Sequence, residues 1–359
     1  MARFALTVGA YQARSIVAAA QRCVNLYPEK NPEGSPFPFT YYPTPGLTLL
    51  LSVTPTTGSG WRGLWAASNN QLYGVCGSSV YAISPSWTAT KLGDMQTTSG
   101  PISVTDNGNF ALIVDGSKNG YSINLLGNAF SSLSDAAFMG ANTVDFVDGF
   151  FILNNPNTRQ FYVSLANQLV FDATDFASKS GYSDQLIGLG VSRRYVYLFG
   201  ASTTEIWFNS GGPTFAFERM PGVFMQYGCT AAASIAQMDG EFYWLAQSSQ
   251  GRAMVCRTNQ FTAQQVSTFA LDNEIAGYAT LDDAQGFTYQ ISGHFFYVLN
   301  FPTANKTWQY DLSTGQWNEL AWLDADGNLN RHRASCHASI YDTAVVGDCE
   351  NGNLYSWDL

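Results

Sequence analysis

The chain has 359 residues, 46% hydrophobic and 14% aromatic, ample for one large all-β domain or two smaller ones. Only 12% of residues are charged, and a formal net charge of −10 with 17 basic residues in no run excludes a protein that grips nucleic acid by neutralising phosphates. The six cysteines (Cys23, Cys76, Cys229, Cys256, Cys336 and Cys349) form no C-x-x-C pair and read as buried thiols of a reducing cytoplasm rather than a disulfide framework.

Residues 1–46 differ from the rest. Arg14 interrupts the short apolar opening, so it does not read as a signal peptide, and no stretch reaches the ~20 apolar residues of a membrane span. Residues 13–21 have the length of one short helical turn. Pro28, Pro32, Pro36, Pro38, Pro43 and Pro45 then predict an extended arm, because proline fixes φ and removes a donor.

From residue 47 onward, short apolar strands alternate with turn residues, in seven units: 63–84, 102–124, 143–164, 186–209, 230–259, 287–317 and 336–359. Each opens with a small, moderately apolar strand. A tight turn follows: Asn69-Asn70, Asn107-Gly108, Asp148-Gly149, Arg193-Arg194, Asp239-Gly240, Ser292-Gly293 and Tyr341-Asp342. A strongly apolar strand and an aromatic-rich one complete the unit, with Trp87 to Leu92 offering a fourth strand to the first. Asn-Gly and Asp-Gly suit two-residue hairpins, whose turns need φ > 0.

Such repeats of antiparallel meanders predict a β-propeller of seven blades, six if one unit is irregular, over residues 47–359. The last unit ends with about three strands, and a strand near 47–53 is placed to supply the fourth and close the ring. A β-sandwich of stacked meanders is the competing architecture.

Candidate chemistry is sparse. His294, His332 and His337 are the only histidines; His332, Cys336 and His337 lie close together with Cys349 beyond, but Cys336 and His337 are adjacent and point to opposite faces of a strand, unlike a zinc set. Asp324, Asp326, Gly327 and Asn328 echo a calcium loop without its glycine spacing or terminal glutamate, which leaves a polar turn. Asp115, Asp145, Asp148, Asp184, Glu205 and Asp239 sit near strand ends, where two could meet as a glycosidase pair, yet no spacing selects one. Asn305-Lys306-Thr307 is a glycosylation sequon without a secretory context, and Trp308, Gln309, Tyr310, Asp311 and Trp317 form a kelch-like blade signature. The expectation is no catalytic, cofactor or metal residue, with the aromatics used in packing rather than as a sugar surface.

Several segments resemble the packaged DNA stabilisation proteins of short-tailed, podovirus-type bacteriophages. They are AQRCVNLYPEKNP with TPGLTLL, RGLWAASNNQLYGVCGSSVYAI, GPISVTDNGNFALIVDG, CTAAASIAQMDGEFYWLAQ, VVGDCENGNLYSWD and, most specific, LIGLGVSRRYVYLFGASTTEIWFNSGG with its Phe199-Gly200 and Thr204-Glu205-Ile206-Trp207. The resemblance implies a β-propeller tail hub, or nozzle, without catalytic residues. It implies a homo-hexamer below the portal and its ring of adaptor subunits, extending the DNA channel, retaining packaged DNA and carrying a needle or plug and tailspikes. The location implied is the virion tail, assembled in the host cytoplasm, with no cofactor and no membrane anchor. The seventh unit stops at Leu359, where some members of that family continue with a further β domain. Either this is a compact member or another protein supplies that contact. The alternative is a carbohydrate-binding or carbohydrate-cleaving propeller; a third reading is a cellular kelch-like module. For a tail hub, an arm of residues 1–45 is suited to reach the adaptor or the next copy, and an acidic wall would let DNA pass without sticking.

Overall fold

A computed structural model describes residues 22–248, 250–251 and 253–359. They form seven antiparallel blades around one axis. Blade one comprises Trp61–Ala66, Leu72–Cys76, Ser79–Ile83 and Ala89–Asp94; blade two Ser103–Asp106, Phe110–Val114, Gly120–Asn124 and Ala129–Ser132. Blade three comprises Val144–Val147, Phe150–Asn154, Gln160–Ser164 and Phe171–Ser178; blade four Leu186–Ser192, Tyr195–Gly200, Thr204–Asn209 and Phe217–Met225. In blade five the inner position is shared by Tyr227–Cys229 and Ala236–Met238, separated by a 3-10 turn, before Glu241–Ser248, Ala253–Asn259 and Thr262–Gln265. Blade six runs Gln285–Ile291, His294–Phe301, Lys306–Asp311 and Gln316–Leu323, with Leu329–Arg331 added outside. A short helix, α1 (Phe269–Ile275), connects blades five and six.

Blade seven joins both ends of the described chain. Ala334–Ile340, Thr343–Asp348 and Asn353–Asp358 are its first three strands, and its outer strand comes from upstream. Three upstream strands precede blade one: β1 (Leu26–Lys30), β2 (Phe39–Pro43) and β3 (Gly46–Ser52). β3 pairs antiparallel with Asn353–Asp358, and the Trp357 indole donates to the Pro45 carbonyl at 2.9 Å.

Five of the seven turns between first and second strands have two successive left-handed residues; at Asn69-Asn70 and Asn107-Gly108 only the second residue has positive φ, and the loops are longer than the two-residue turn expected, running over 67–71 and 107–109. Asp148-Gly149, Asp239-Gly240 and Ser292-Gly293 have φ near +50° and then +70 to +95°. Arg193-Arg194 and Tyr341-Asp342 adopt the same left-handed pair without glycine. The Tyr341 hydroxyl compensates its strain: it donates to the Ile83 carbonyl and accepts from Leu72 N–H, tying blade seven to blade one.

Second and third strands carry the core. Leu112, Val114, Ile152, Leu153, Phe161, Leu198, Phe199, Trp244, Val255 and Leu299 are buried in interlocking clusters between adjacent blades. Gly190 lets blade five approach, since a Cβ there would meet the Phe242 ring at 2.6 Å. Polar side chains cross every junction: Trp65 to Asp106, Ser103 to Val144, Thr143 to Leu189, Ser192 to Gly240, Tyr297 to Ser234, Asn300 to Ala334 and Ser335 to Trp61.

Residues 22–43 do not run as a free extended arm. β1 and β2 form a hairpin from Leu26↔Pro43 to Lys30↔Phe39, held at its open turn by Asn31, which bonds Phe37 and Thr40. Pro28 and Pro43 sit in a two-stranded ribbon and Pro32, Pro36 and Pro38 in its loop, where a missing N–H is tolerated. The predicted helical turn at 13–21 lies outside the described residues.

Candidate functional site

The axial cavity is the first place to look for chemistry, because every blade presents its inner strand there. It encloses about 600 Å³ and is lined by Arg62, Asp115, Asp145, Asp282, Thr230 and His337 among others. Of the six carboxylates considered from the sequence, only Asp115 and Asp145 reach it. Asp115 accepts from the Ser117 amide and hydroxyl and from Thr97, whose hydroxyl and carbonyl also hold the Arg62 guanidinium. Asp145 accepts from Val191 N–H of blade four and Phe146 N–H; burial pushes its carboxyl up to about 6 against those two amides. Asp145 joins blades three and four, and Asp115 fastens its own turn to the Thr97 loop.

The other four lie elsewhere. Asp148 pairs with Arg194 at 2.9 Å across the turns of blades three and four. Asp239 occupies a hairpin turn with φ +52°. Asp184 pairs with the fully buried Lys179 ammonium, which also bonds Thr203. Burial opposes ionisation of Asp184, but Lys179 and the amides of Ser202 and Thr203 outweigh it and hold its carboxyl below the usual range. Glu205, fully buried, accepts from the amides of Ser180 and Gly181 and from the Trp207 indole. The loop 179–185 is therefore fastened to blade four at both ends.

The histidines are dispersed by role. His294 lies between Asp311 (2.9 Å) and Glu29 (3.7 Å) and against the Tyr27 ring. His332 stacks on Trp357 and accepts from Ala334 N–H, whereas His337 packs beside Phe287 at the axis. Burial lowers both His332 and His337 to about 4, so they are neutral at physiological pH. Among the described residues no three His, Cys, Asp or Glu side chains gather as a metal site, and the cysteines form no disulfide. Burial pushes the thiols of Cys76, Cys229, Cys256 and Cys336 up to about 12, far from a reactive thiolate. Asp324 accepts from the amides of Asp326 and Asn328 and the side chain of Asn330, so its carboxylate organises its own turn. Asn305 turns the chain between two strands of blade six, and the kelch-like Asp311 caps the next turn through Ser313 and Thr314.

Sequence reasoning did not assign a role to Arg22, Asn25 and Tyr27, although they stand in the first segment of the resemblance. Arg22 makes two hydrogen bonds of 2.6 Å to the Glu319 carboxylate, which Lys306 also reaches at 3.1 Å. Asn25 and Ala321 exchange two hydrogen bonds, and Val24 bridges Glu319 in parallel. Tyr27 is buried among Phe287, Tyr289, Phe296, Leu320 and Trp357. This clasp fixes the hairpin to blade six. Its signal was the mixed cation–amide–aromatic order R-x-x-N-x-Y just before a proline, which has no regular periodicity.

A protein-family model described as bacteriophage P22 Gp10, beta-propeller, matches residues 3–359. No curated protein matches the chain. Among solved structures it is similar to the computationally designed Ika8 protein, at 11% identity and a TM-score of 0.45, covering 87% of this chain and all of that one, a likeness too distant to inform fold or function. With seven blades in its fold and the family model spanning almost every residue, the chain belongs to the bacteriophage P22 Gp10 family of β-propeller DNA-stabilisation proteins, and is a structural component of the virion.

Proposed function

We propose that this protein is the tail hub, or nozzle, of a short-tailed phage. Six copies continue the portal–adaptor channel, retain packaged DNA and carry a needle or plug and tailspikes, without catalysis. One observation carries the reading: the residues in the family-like segments are committed to rigidity. Arg22, Asn25 and Tyr27 clasp the hairpin and Glu205 fastens a loop that the Lys179–Asp184 pair, just outside those segments, also locks.

Charge supports a channel that does not hold DNA. Of the few cations, Arg22, Lys91, Lys179, Arg193, Arg194, Lys306 and Arg333 are already paired with carboxylates. A chain with net charge −10 and so many cations internally neutralised offers little to phosphates. Assembly in the host cytoplasm suits its unpaired buried thiols.

The test is a phage in which a nonsense codon removes this chain. Heads should fill with DNA and then lose it, with particles lacking tailspikes, and supply of the chain in trans should restore infectivity. Mutant particles that keep their genome and their spikes would refute the hub role.

A further inference from the structure

A propeller's outermost strands are open edges, and the seven here are protected unequally. Ala89–Asp94 carries Lys91 and Asp94, Phe171–Ser178 carries Asp172 and Asp175, and Phe217–Met225 carries Glu218, Arg219 and Pro221. Ala129–Ser132 and Thr262–Gln265 are only four residues long and polar. In blade six Leu329–Arg331 covers the outer strand. Charges, proline and short length are the usual ways of preventing strand addition.

β3 uses none of the three. It is seven residues long, GLTLLLS, with four leucines, no charge and no proline. One side pairs with Asn353–Asp358, and no described strand pairs with the other. Leu49 is 56% exposed. A bulge at Leu50 breaks the register, so the regular open edge is Gly46–Leu49.

The same chain contains a segment complementary to that edge. In Phe4-Ala5-Leu6-Thr7-Val8 large apolar residues alternate with small ones, the strand period, and Arg3 precedes them. Residues 1–21 hold two arginines and no acid, whereas the other 15 basic residues face all 27 acidic ones. Exposed Asp358 lies opposite Gly46 at one end of β3. The chain enters the fold beside the start of β3, where the Asn25 carbonyl accepts from Thr44 N–H, so the entry point does not choose between this chain's own residues 4–8 and those of a neighbouring copy. The hub reading, in which copies meet around a ring, favours the neighbour.

We propose that the Gly46–Leu49 edge of β3 receives residues 4–8 of a neighbouring copy as an added strand, parallel to β3, with Arg3 beside Asp358. Main-chain hydrogen bonds supply the affinity and the leucine side chains the register. This rests on the hub reading, since it links successive copies of a ring.

The experiment uses the full-length chain, an equal mixture of unlabelled and nitrogen-15-labelled copies, assembled on the portal–adaptor complex. A photo-crosslinking residue replaces exposed Leu49. Peptides joining position 49 to residues 1–14 are expected, about half of them pairing a labelled with an unlabelled partner. Isotopically pure links only, links from β3 to β3, or links to a different polypeptide would overturn the proposal. Electron microscopy of the same sample separates the two readings: a ring without the 49-to-N-terminal link defeats strand addition alone, and absence of a ring defeats both. As a second measure, Leu49→Lys should weaken ring assembly at least tenfold while leaving the monomer's melting temperature unchanged; equal assembly would also refute the contact.

Discussion

The propeller body and the hairpin laid on it are held by different physics. Between blades, stability comes from apolar burial: Trp244, Trp317 and Trp357 are enclosed, and each seam closes over aliphatic and aromatic side chains. The clasp relies on one buried aromatic, Tyr27, and on a few polar contacts converging on Glu319 and Ala321. The first kind of contact is distributed around a closed ring, so every blade supports its neighbours. The second is local, so it can open without unfolding the body.

Deleting core volume should produce the largest effect. Trp244→Ala removes a ring packed against Phe199 and an indole bond to Gly228, and should cost about 3–5 kcal/mol, read as a lower urea midpoint for the whole protein. Lys179→Met leaves the Asp184 carboxylate without its cation, held only by the amides of Ser202 and Thr203 and the Thr203 hydroxyl, and should cost about 3 kcal/mol. A change below 1 kcal/mol in either would mean that the blades are not packed as described.

Acid should act on the body through histidine. His332 and His337 fall from 6.5 in the unfolded chain to about 4 when buried. A depressed pKa stabilises the fold above 6.5, and that contribution is lost as pH falls from 6.5 towards 4, since only the unfolded chain then takes up the proton. His332, the more deeply buried, contributes roughly 2–4 kcal/mol at neutral pH, and His337, which lines the axial cavity and is only partly buried, contributes less. Chemical denaturation across that window should show the slope, and His337→Phe should flatten it; an unchanged slope would remove His337 from the account.

The clasp should respond more weakly and only locally. Tyr27→Ala should raise hydrogen exchange across β1 and β2 by at least tenfold while the Trp244 strand keeps its protection. Glu319→Gln should cost about 1 kcal/mol, part of its ion pair with half-exposed Arg22 being screened. Burial opposes ionisation of Glu319, but Arg22 and Lys306 outweigh it and hold the carboxyl below 4.5, so the clasp contribution is lost as pH falls below that value. Global unfolding at the same rate as the hairpin would erase the distinction between the two regions.

The contrast also explains what the sequence made visible. Strands such as FFILN and YVYLFG are apolar along their whole length because they are buried on both faces, and the turns announce themselves through paired Asn, Asp and Gly. Outer strands such as TAQQ face solvent on one edge and lose that signature, so most sequence units ended one strand early, whereas the fourth strand expected at 87–92 in the first unit is found at Ala89–Asp94. The proline run correctly indicated extended backbone but not that it doubles back, although Pro32-Glu33-Gly34-Ser35 carries a turn, with Gly34 at φ +89° and Ser35 N–H donating to the Pro32 carbonyl. Among candidate site residues, the carboxylates were recognisable, but only the folded ring reveals that Asp115 and Asp145 share the axis while Glu205 and Asp184 fasten a loop.

The central claim is that this rigid propeller is built to complete a tail. Electron microscopy of the purified protein mixed with the portal–adaptor complex of the same phage tests it most directly. The hub reading predicts a sixfold ring capping the connector, with the axial channel continuous through it. Free monomers and no added density, where the adaptor ring itself is assembled, would contradict it.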